Sequence, residues 1–302
     1  MSGNENAERA GNDLGELLDR LPPAGRPGAE HVARRTLGLR VEARRQLTRR
    51  RTWLTLGFLV VLPFLLVAAF SLGDGGGSGA PALVDLATLG AANFTVFTLF
   101  VSSGFLLVVV VALFCGDTVA GEASWSTLRY LLTIPVPRSG LLRRKLLVAL
   151  GYSLFALVLL PGVAYLAGGV FFGWAPLRSP LGTTISGGQI GLRLAVAIGY
   201  IAVNLLFVAA LAFLLGVWTD APLGAVGGAV MLVILSNILD AVTALGQWRQ
   251  MLPMHYSLAW TDVLGPRISW DQMATGTLWS LGYTLALLCA AWWHFERKDV
   301  TS

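Results

Sequence analysis

Charge is scarce in this chain: Asp, Glu, Lys and Arg make up 13% of its 302 residues, about half the share of an ordinary soluble domain. That deficit, with 55% hydrophobic residues and a mean hydropathy of +0.67, excludes a large soluble core and indicates a polytopic membrane protein. Cysteine is almost absent. Cys115 and Cys289 both fall in apolar runs, too far apart for a metal knuckle, and read as small core residues. Only three histidines occur, His31, His255 and His294, and their scatter excludes an HExxH-type zinc site. No Gly-x-x-x-x-Gly-Lys-Ser/Thr phosphate loop is present, so any ATP hydrolysis has to come from another polypeptide. No Ser/His/Asp constellation can be argued, which disfavours a membrane enzyme.

What the chain has is long apolar runs. Six approach the ~20 residues that cross a bilayer, at about Trp53–Leu72, Phe94–Cys115, Leu146–Phe172, Leu192–Val217, Leu223–Leu245 and Thr275–Trp293. Each is expected to be helical, because lipid offers no partner to an open backbone group. The expected fold is therefore all-α, with six transmembrane helices. The first run begins behind a long polar segment and reads as an anchor rather than a cleaved leader. Pro63 and Pro161 lie inside the first and third runs.

Sidedness follows from basic residues. With the N-terminus inside, inner segments hold 18 Lys/Arg, and the outer loops hold four, Arg178, Arg193, Arg249 and Arg267. Cytoplasmic N- and C-termini are expected, at a cell membrane. The excess of Arg over Lys, 20 to 2, is compatible with a GC-rich bacterial genome. Residues 1–30, with net charge −3, read as a disordered cytoplasmic tail. Residues 31–52, with net charge +7, read as a basic amphipathic helix on the inner leaflet, its less polar face Val32, Thr36, Leu39, Ala43 and Leu47. Membrane lipids, rather than nucleic acid, are its expected partner. Residues 53–302 form the membrane domain. Outside, Gly73–Gly79 reads as a flexible loop, and residues 246–274 are apolar enough to dip into the outer leaflet or cap the bundle.

Between the second and third runs lies a polar, basic insert, residues 116–145. Trp125, Leu128 and Leu132 recur at helical spacing, Ser124 can cap the helix start, Pro135 and Pro137 end it, and Ser139 can begin the next helix. Asp117 and Glu122 sit where a carboxylate can meet an Arg or a backbone donor. The plain alternative is a cytoplasmic loop whose Arg138, Arg143, Arg144 and Lys145 only enforce topology. Mid-run polar and aromatic groups, Asn204, Asn237, Asp240, Phe97 and Phe100, are candidates for lining a translocation path, although helix-to-helix hydrogen bonding is the stronger reading of the polar ones. Arg193, near an outer end, can snorkel. Gly224-x-x-x-Gly228 permits close helix approach.

Gly121-Glu122, Thr127-Leu128, Leu131-Leu132, Pro135-Val136-Pro137-Arg138, Leu142 and Lys145 resemble the Gly-Glu…Thr-Leu…Leu-Leu…Pro-Val-Ser-Arg…Leu…Lys pattern of type-2 ABC exporter permeases. Pro137 stands where that family commonly has Ser. The motif covers about 25 residues; the rest of the likeness is the six-span layout and the C-terminal Phe295-Glu296-Arg297-Lys298-Asp299. The resemblance implies a permease subunit, not itself an enzyme. It implies a homodimer or close heterodimer with a second permease subunit, driven by cytoplasmic ABC ATPase subunits that carry the ATP and Mg, with no cofactor on this chain. Coupling would run through Glu122, Trp125, Thr127, Leu128, Arg129, Leu132, Pro135 and Arg138. Ile185-Ser186-Gly187-Gly188-Gln189 nearly matches the Leu-Ser-Gly-Gly-Gln signature of ABC ATPases, but it falls on the expected outer side and reads as accidental. A hydrophobic or amphipathic substrate is expected. The competing reading is a non-transporting scaffold or regulator that anchors a cytoplasmic partner.

Overall fold

A computed structural model describes residues 38–72, 82–124, 138–179, 184–219 and 221–297. The fold is all-α apart from one small antiparallel hairpin, β1 (Leu177–Arg178) paired with β2 (Thr184–Ile185). Five helices are long and apolar enough to cross a membrane, or six if one bent pair counts as a single span. The expected tail 1–30, residues 31–37 of the basic segment and the Gly73–Gly79 loop lie outside the described residues.

Helix α1 (Leu39–Leu47) follows an extended Gly38 and ends at Thr48, whose N–H reaches the Arg44 and Gln46 carbonyls. The Thr52 hydroxyl donates to the Gln46 carbonyl at 2.8 Å, fixing the corner into α2 (Arg50–Leu72). On α2, Leu56, Leu59, Pro63 and Val67 are buried, while Trp53, Leu54, Phe58, Val61 and Phe64 are exposed. A helix apolar on every side with only one stripe buried is suited to hydrocarbon rather than water.

The second apolar run departs from the expected single span Phe94–Cys115. It forms two helices, α4 (Ala91–Ser103) and α5 (Leu106–Ser124), meeting at a 58° bend; the short α3 (Ala82–Ala87) precedes them. The bend falls at Ser102-Ser103-Gly104, the kind of Ser/Gly cluster at which helices kink. The hydroxyls of Thr95 and Thr98 also bond back to the carbonyls of Ala91 and Phe94, a habit that bends helices. Most of α4 is buried, so it is a core element as well as half of a span.

Helix α6 (Arg138–Phe172) runs unbroken through Pro161 for 35 residues; it begins next to the expected Ser139 start and carries the apolar run Leu146–Phe172 as its continuation. Helix α7 (Gly187–Thr219) is the central pillar, packed against α5, α8 (Pro222–Ala241) and α9 (Asp271–Arg297). Helix α8 stops short of the expected Leu245, because the chain turns at Val242 into a 3-10 helix, Thr243–Met251; a second, Ala259–Leu264, precedes α9. Phe114, Leu107, Leu142, Leu160, Phe213 and Trp260 are fully buried in the main core, and Phe94 centres a smaller cluster with Val67, Ala164 and Ala167.

The tightest helix approach is not at Gly224/Gly228. A Cβ on Gly216 would lie 2.6 Å from the Gly116 carbonyl oxygen, so α5 and α7 touch backbone to backbone there. Gly228 does face a neighbour, Leu215 at 3.1 Å, whereas Gly224 meets only residues beside its own helix start.

Candidate functional site

The helices alternate in direction, so α1, the end of α5 and the start of α6 share one end of the bundle, and the 242–270 connection closes the other. At the first end the sequence concentrates charge, and the fold pairs it. Asp117, whose side chain is only 9% exposed, accepts from Arg49 Nη1 at 2.7 Å and from Arg51 Nη1 at 3.1 Å. Gly121, one turn on, leaves the carboxylate room: a Cβ there would sit 2.9 Å from Asp117 Oδ1. Lys145 is 98% removed from solvent, its side chain 2% exposed, and donates to Glu42 Oε1 at 3.1 Å. An ammonium that deep is tolerable only when paired. The Tyr152 hydroxyl adds a bond to the Ala43 carbonyl at 2.7 Å. Asp117 and Lys145 flank the polar insert, and both are held by α1 and the start of α2.

The expected coupling residues divide at this boundary. Glu122 falls in the last turn of α5 and Arg138 opens α6. Trp125, Thr127, Leu128, Arg129, Leu132 and Pro135 lie outside the described residues. On α1 the side turned to the protein is Glu42, Ala43 and Gln46, while Leu39, Val41 and Leu47 are exposed beside Arg40, Arg44 and Arg45. Of the face read from the sequence, Ala43 is thus turned inward and Leu39 and Leu47 outward.

The candidate path residues are not brought together. Half-buried Phe97 stacks edge-on to Phe70 with centroids 5.3 Å apart, and half-buried Phe100 packs on the main core. Asn204 is buried mid-way along α7; the hydroxyl of Ser280 on α9 reaches its carbonyl at 3.2 Å, and its own Nδ2 lacks a hydrogen-bond partner. Asn237 is exposed on α8. Asp240 Oδ1 lies 2.5 Å from His255 Nδ1 and 3.6 Å from Arg249 Nε, which makes it a tie between α8 and the connection after it.

That connection is a fitted cap. Trp260, Val263 and Met254 are buried in it. Arg193 is buried instead of snorkelling: Nη1 donates to the Val263 and Gly265 carbonyls at 2.7 and 2.5 Å, and Nη2 to Pro266 at 3.3 Å. Tyr200 donates to the Tyr256 carbonyl at 2.6 Å and Tyr283 to that of Met251 at 2.5 Å. Gly276 is where α9 passes against Tyr200 and Tyr256, leaving no space for a side chain. In the near-match to the ATPase signature, Ile185 belongs to β2, the Ser186 carbonyl accepts from Gln189 N–H at 2.9 Å, and Gly187 begins α7. Among the described residues no group of three His, Cys, Asp or Glu side chains is placed to hold a metal ion.

Sequence reasoning left Asp117 either an Arg or a backbone donor as partner and did not say which Arg, and it gave no hint of the Glu42–Lys145 pair or of the carbonyls around Arg193. Nothing short-range could have found these, since the partners are 66 to 103 residues apart.

Fold and site together define an all-α, multi-pass membrane protein with one ion-paired end and one capped end. Its family is found by sequence: residues 80–301 match the family described as "Protein of unknown function (DUF2705)", and the chain belongs to it. The matched stretch runs from the connection after α2 to the end of α9, so Glu42, Arg49 and Arg51 precede it. No curated protein matches the chain.

Proposed function

We propose that this chain is the membrane-spanning permease subunit of an ATP-driven exporter in the cell membrane, working as a dimer with a second permease and two cytoplasmic ABC ATPase subunits. The observation that carries the reading is the double tether of the polar insert: Asp117 to Arg49 and Arg51 before it, Lys145 to Glu42 after it. A partner pushing on residues 122–138 would therefore move α1, α2, α5 and α6 as one body, which is how a local push becomes a rigid-body helix movement. The motif from Gly121 to Lys145 supports the same reading, as does the absence of a phosphate loop in the sequence. Counting α4 and α5 as one span gives six, with both termini on the side of the insert. The basic residues put that side in the cytoplasm. Helix α1, with Arg40, Arg44 and Arg45 exposed beside Leu39 and Val41, then rests on the inner leaflet and its anionic lipids. The substrate is hydrophobic or amphipathic and crosses by alternating access.

The test is reconstitution with any ABC ATPase that co-purifies with this chain from native membranes. Glu122→Ala and Arg138→Ala should abolish ATP-driven transport while leaving the helices folded and the dimer intact. Full transport in both variants, or no ATPase retained in any mild detergent, would refute the assignment. Stable ATPase binding without ATP-dependent movement of any substrate would make the chain a scaffold.

A further inference from the structure

Midway along the bundle, α5, α6 and α7 leave a cavity of about 240 Å³ between them. Val111 floors it, Leu150, Leu154 and Leu157 form one wall, and Ala202 and Leu206 form part of the other. Its one hydroxyl, Ser153, is already used, donating to the Ala149 carbonyl at 2.9 Å. Water needs two to four polar partners to settle in a cavity, and an apolar one of roughly 150 Å³ stays dry and takes a hydrocarbon guest. This cavity is larger, and the Ser153 oxygen, left only as an acceptor, gives water one partner where it needs at least two.

Its depth narrows the guest further. Phe155 is half-way along α6 and Val203 half-way along α7, so the cavity sits at the middle of both spans. Its mouth is at Leu154, which is 54% exposed next to Phe155 and Val158, both also exposed. At that depth the surrounding medium is acyl chain. A neighbouring protein helix, about 10–12 Å across, could cover this mouth but not fill the space behind it.

A second hollow of about 470 Å³ continues along α7 toward the capped end, lined by Val196, Tyr200, Trp270, Thr277 and Leu278, and Val203 lines both. From Val196 to Leu206 is roughly 15 Å along the helix axis at 1.5 Å per residue. That is half of a hydrocarbon core of about 30 Å, the depth of one leaflet. Trp270, 54% exposed at the start of α9, stands where aromatic side chains favour the headgroup level.

We propose that the flank of α7 is a phospholipid site, with one acyl chain lying from Trp270 to Val203 and its last carbons in the cavity behind Leu154. The site is set by shape and depth and does not depend on the transport reading. It gives the loose α6–α7 seam the packing that side chains do not provide.

Reconstitution into phosphatidylcholine vesicles doped with a phosphatidylcholine carrying a diazirine at the chain terminus tests it. Label should concentrate on residues 150–157 and 202–209, at least fivefold above Leu281 and Leu285, which face lipid on α9. Ala202→Phe, which fills the cavity, should bring that labelling down to the α9 level. Leu154→Trp, a change at the exposed mouth that the fold should tolerate, should lower it severalfold. Labelling no higher than on α9, or unchanged in both variants, would overturn the proposal.

Discussion

The two ends of this bundle are held by different chemistry. At the end near the insert, side chains pair with side chains: Arg49 and Arg51 with Asp117, Lys145 with Glu42. At the capped end, apart from the Asp240 contacts with His255 and Arg249, side chains grip backbone carbonyls: Arg193 on three of them, Tyr200 and Tyr283 on one each. The difference has mechanical consequences. A carbonyl gripped by a buried donor has nowhere else to bond if the cap lifts, and an orphaned buried polar group is expensive. At the paired end, Arg51, 64% exposed, can leave Asp117 and be re-solvated at little cost, whereas Lys145, 2% exposed, cannot leave Glu42 so cheaply. The cap is thus built to stay, and the paired end gives first at Arg51.

The contrast can be broken most severely at Arg193. Arg193→Ala removes the charged donor from three carbonyls and should destabilise the fold by about 3 kcal/mol or more, read as a lowered midpoint in detergent thermal unfolding; Arg193→Lys should recover only part. A loss below ~1 kcal/mol would mean that the cap is held by packing around Trp260 instead. Next in size is Gly216→Ala, which puts a methyl against the Gly116 carbonyl and should cost about 1–3 kcal/mol by overpacking. Its effect should fall chiefly on the paired end, since Gly116 adjoins Asp117 and Gly216 lies in the last turn of α7.

Asp117→Asn comes third. It leaves Arg49 and Arg51 without a countercharge and should cost about 1 kcal/mol, the upper end for a partly exposed pair. Faster hydrogen exchange should then appear around residues 48–52 and not in the cap. Smallest is Arg51→Ala: this side chain is 64% exposed, and its loss should fall under ~0.5 kcal/mol. Salt sharpens the comparison without mutation. Raising ionic strength should loosen the paired end, because exposed charges are screened, and leave exchange around Arg193 and Trp260 unchanged.

How far the sequence carried the fold depends on the range of the interaction. Hydropathy finds the apolar runs because a span is a local property of about twenty residues. It is blind to the bend at Ser103-Gly104, since a broken helix and a straight one have the same mean hydropathy. It marks only the apolar part of α6, from Leu146, whereas the helix itself begins at Arg138, beside the Ser139 start that follows the Pro135 and Pro137 breaks. Small-residue spacing on one helix pointed to Gly224 and Gly228, whereas Gly116 and Gly216 meet across two helices 100 residues apart, and no single-helix pattern records that. Arg193 read as an end-of-span snorkel because its carbonyl partners, 70 to 73 residues on, belong to a loop whose path was not legible. For the site, Asp117 was legible as a carboxylate seeking an Arg or a backbone donor. The core of the coupling segment rests on its motif alone, with Trp125 to Pro135 outside the described residues.

The central claim is that residues 122–138 receive force from a separate ATPase. Site-specific incorporation of a benzophenone amino acid in place of Leu128, followed by irradiation of native membranes, tests it at the proposed contact. The account predicts a crosslink to a polypeptide carrying an ABC ATPase phosphate loop, with a yield that changes when a non-hydrolysable ATP analogue is added. Adducts only to lipid, in membranes where substrate is still exported at the expense of ATP, would contradict it.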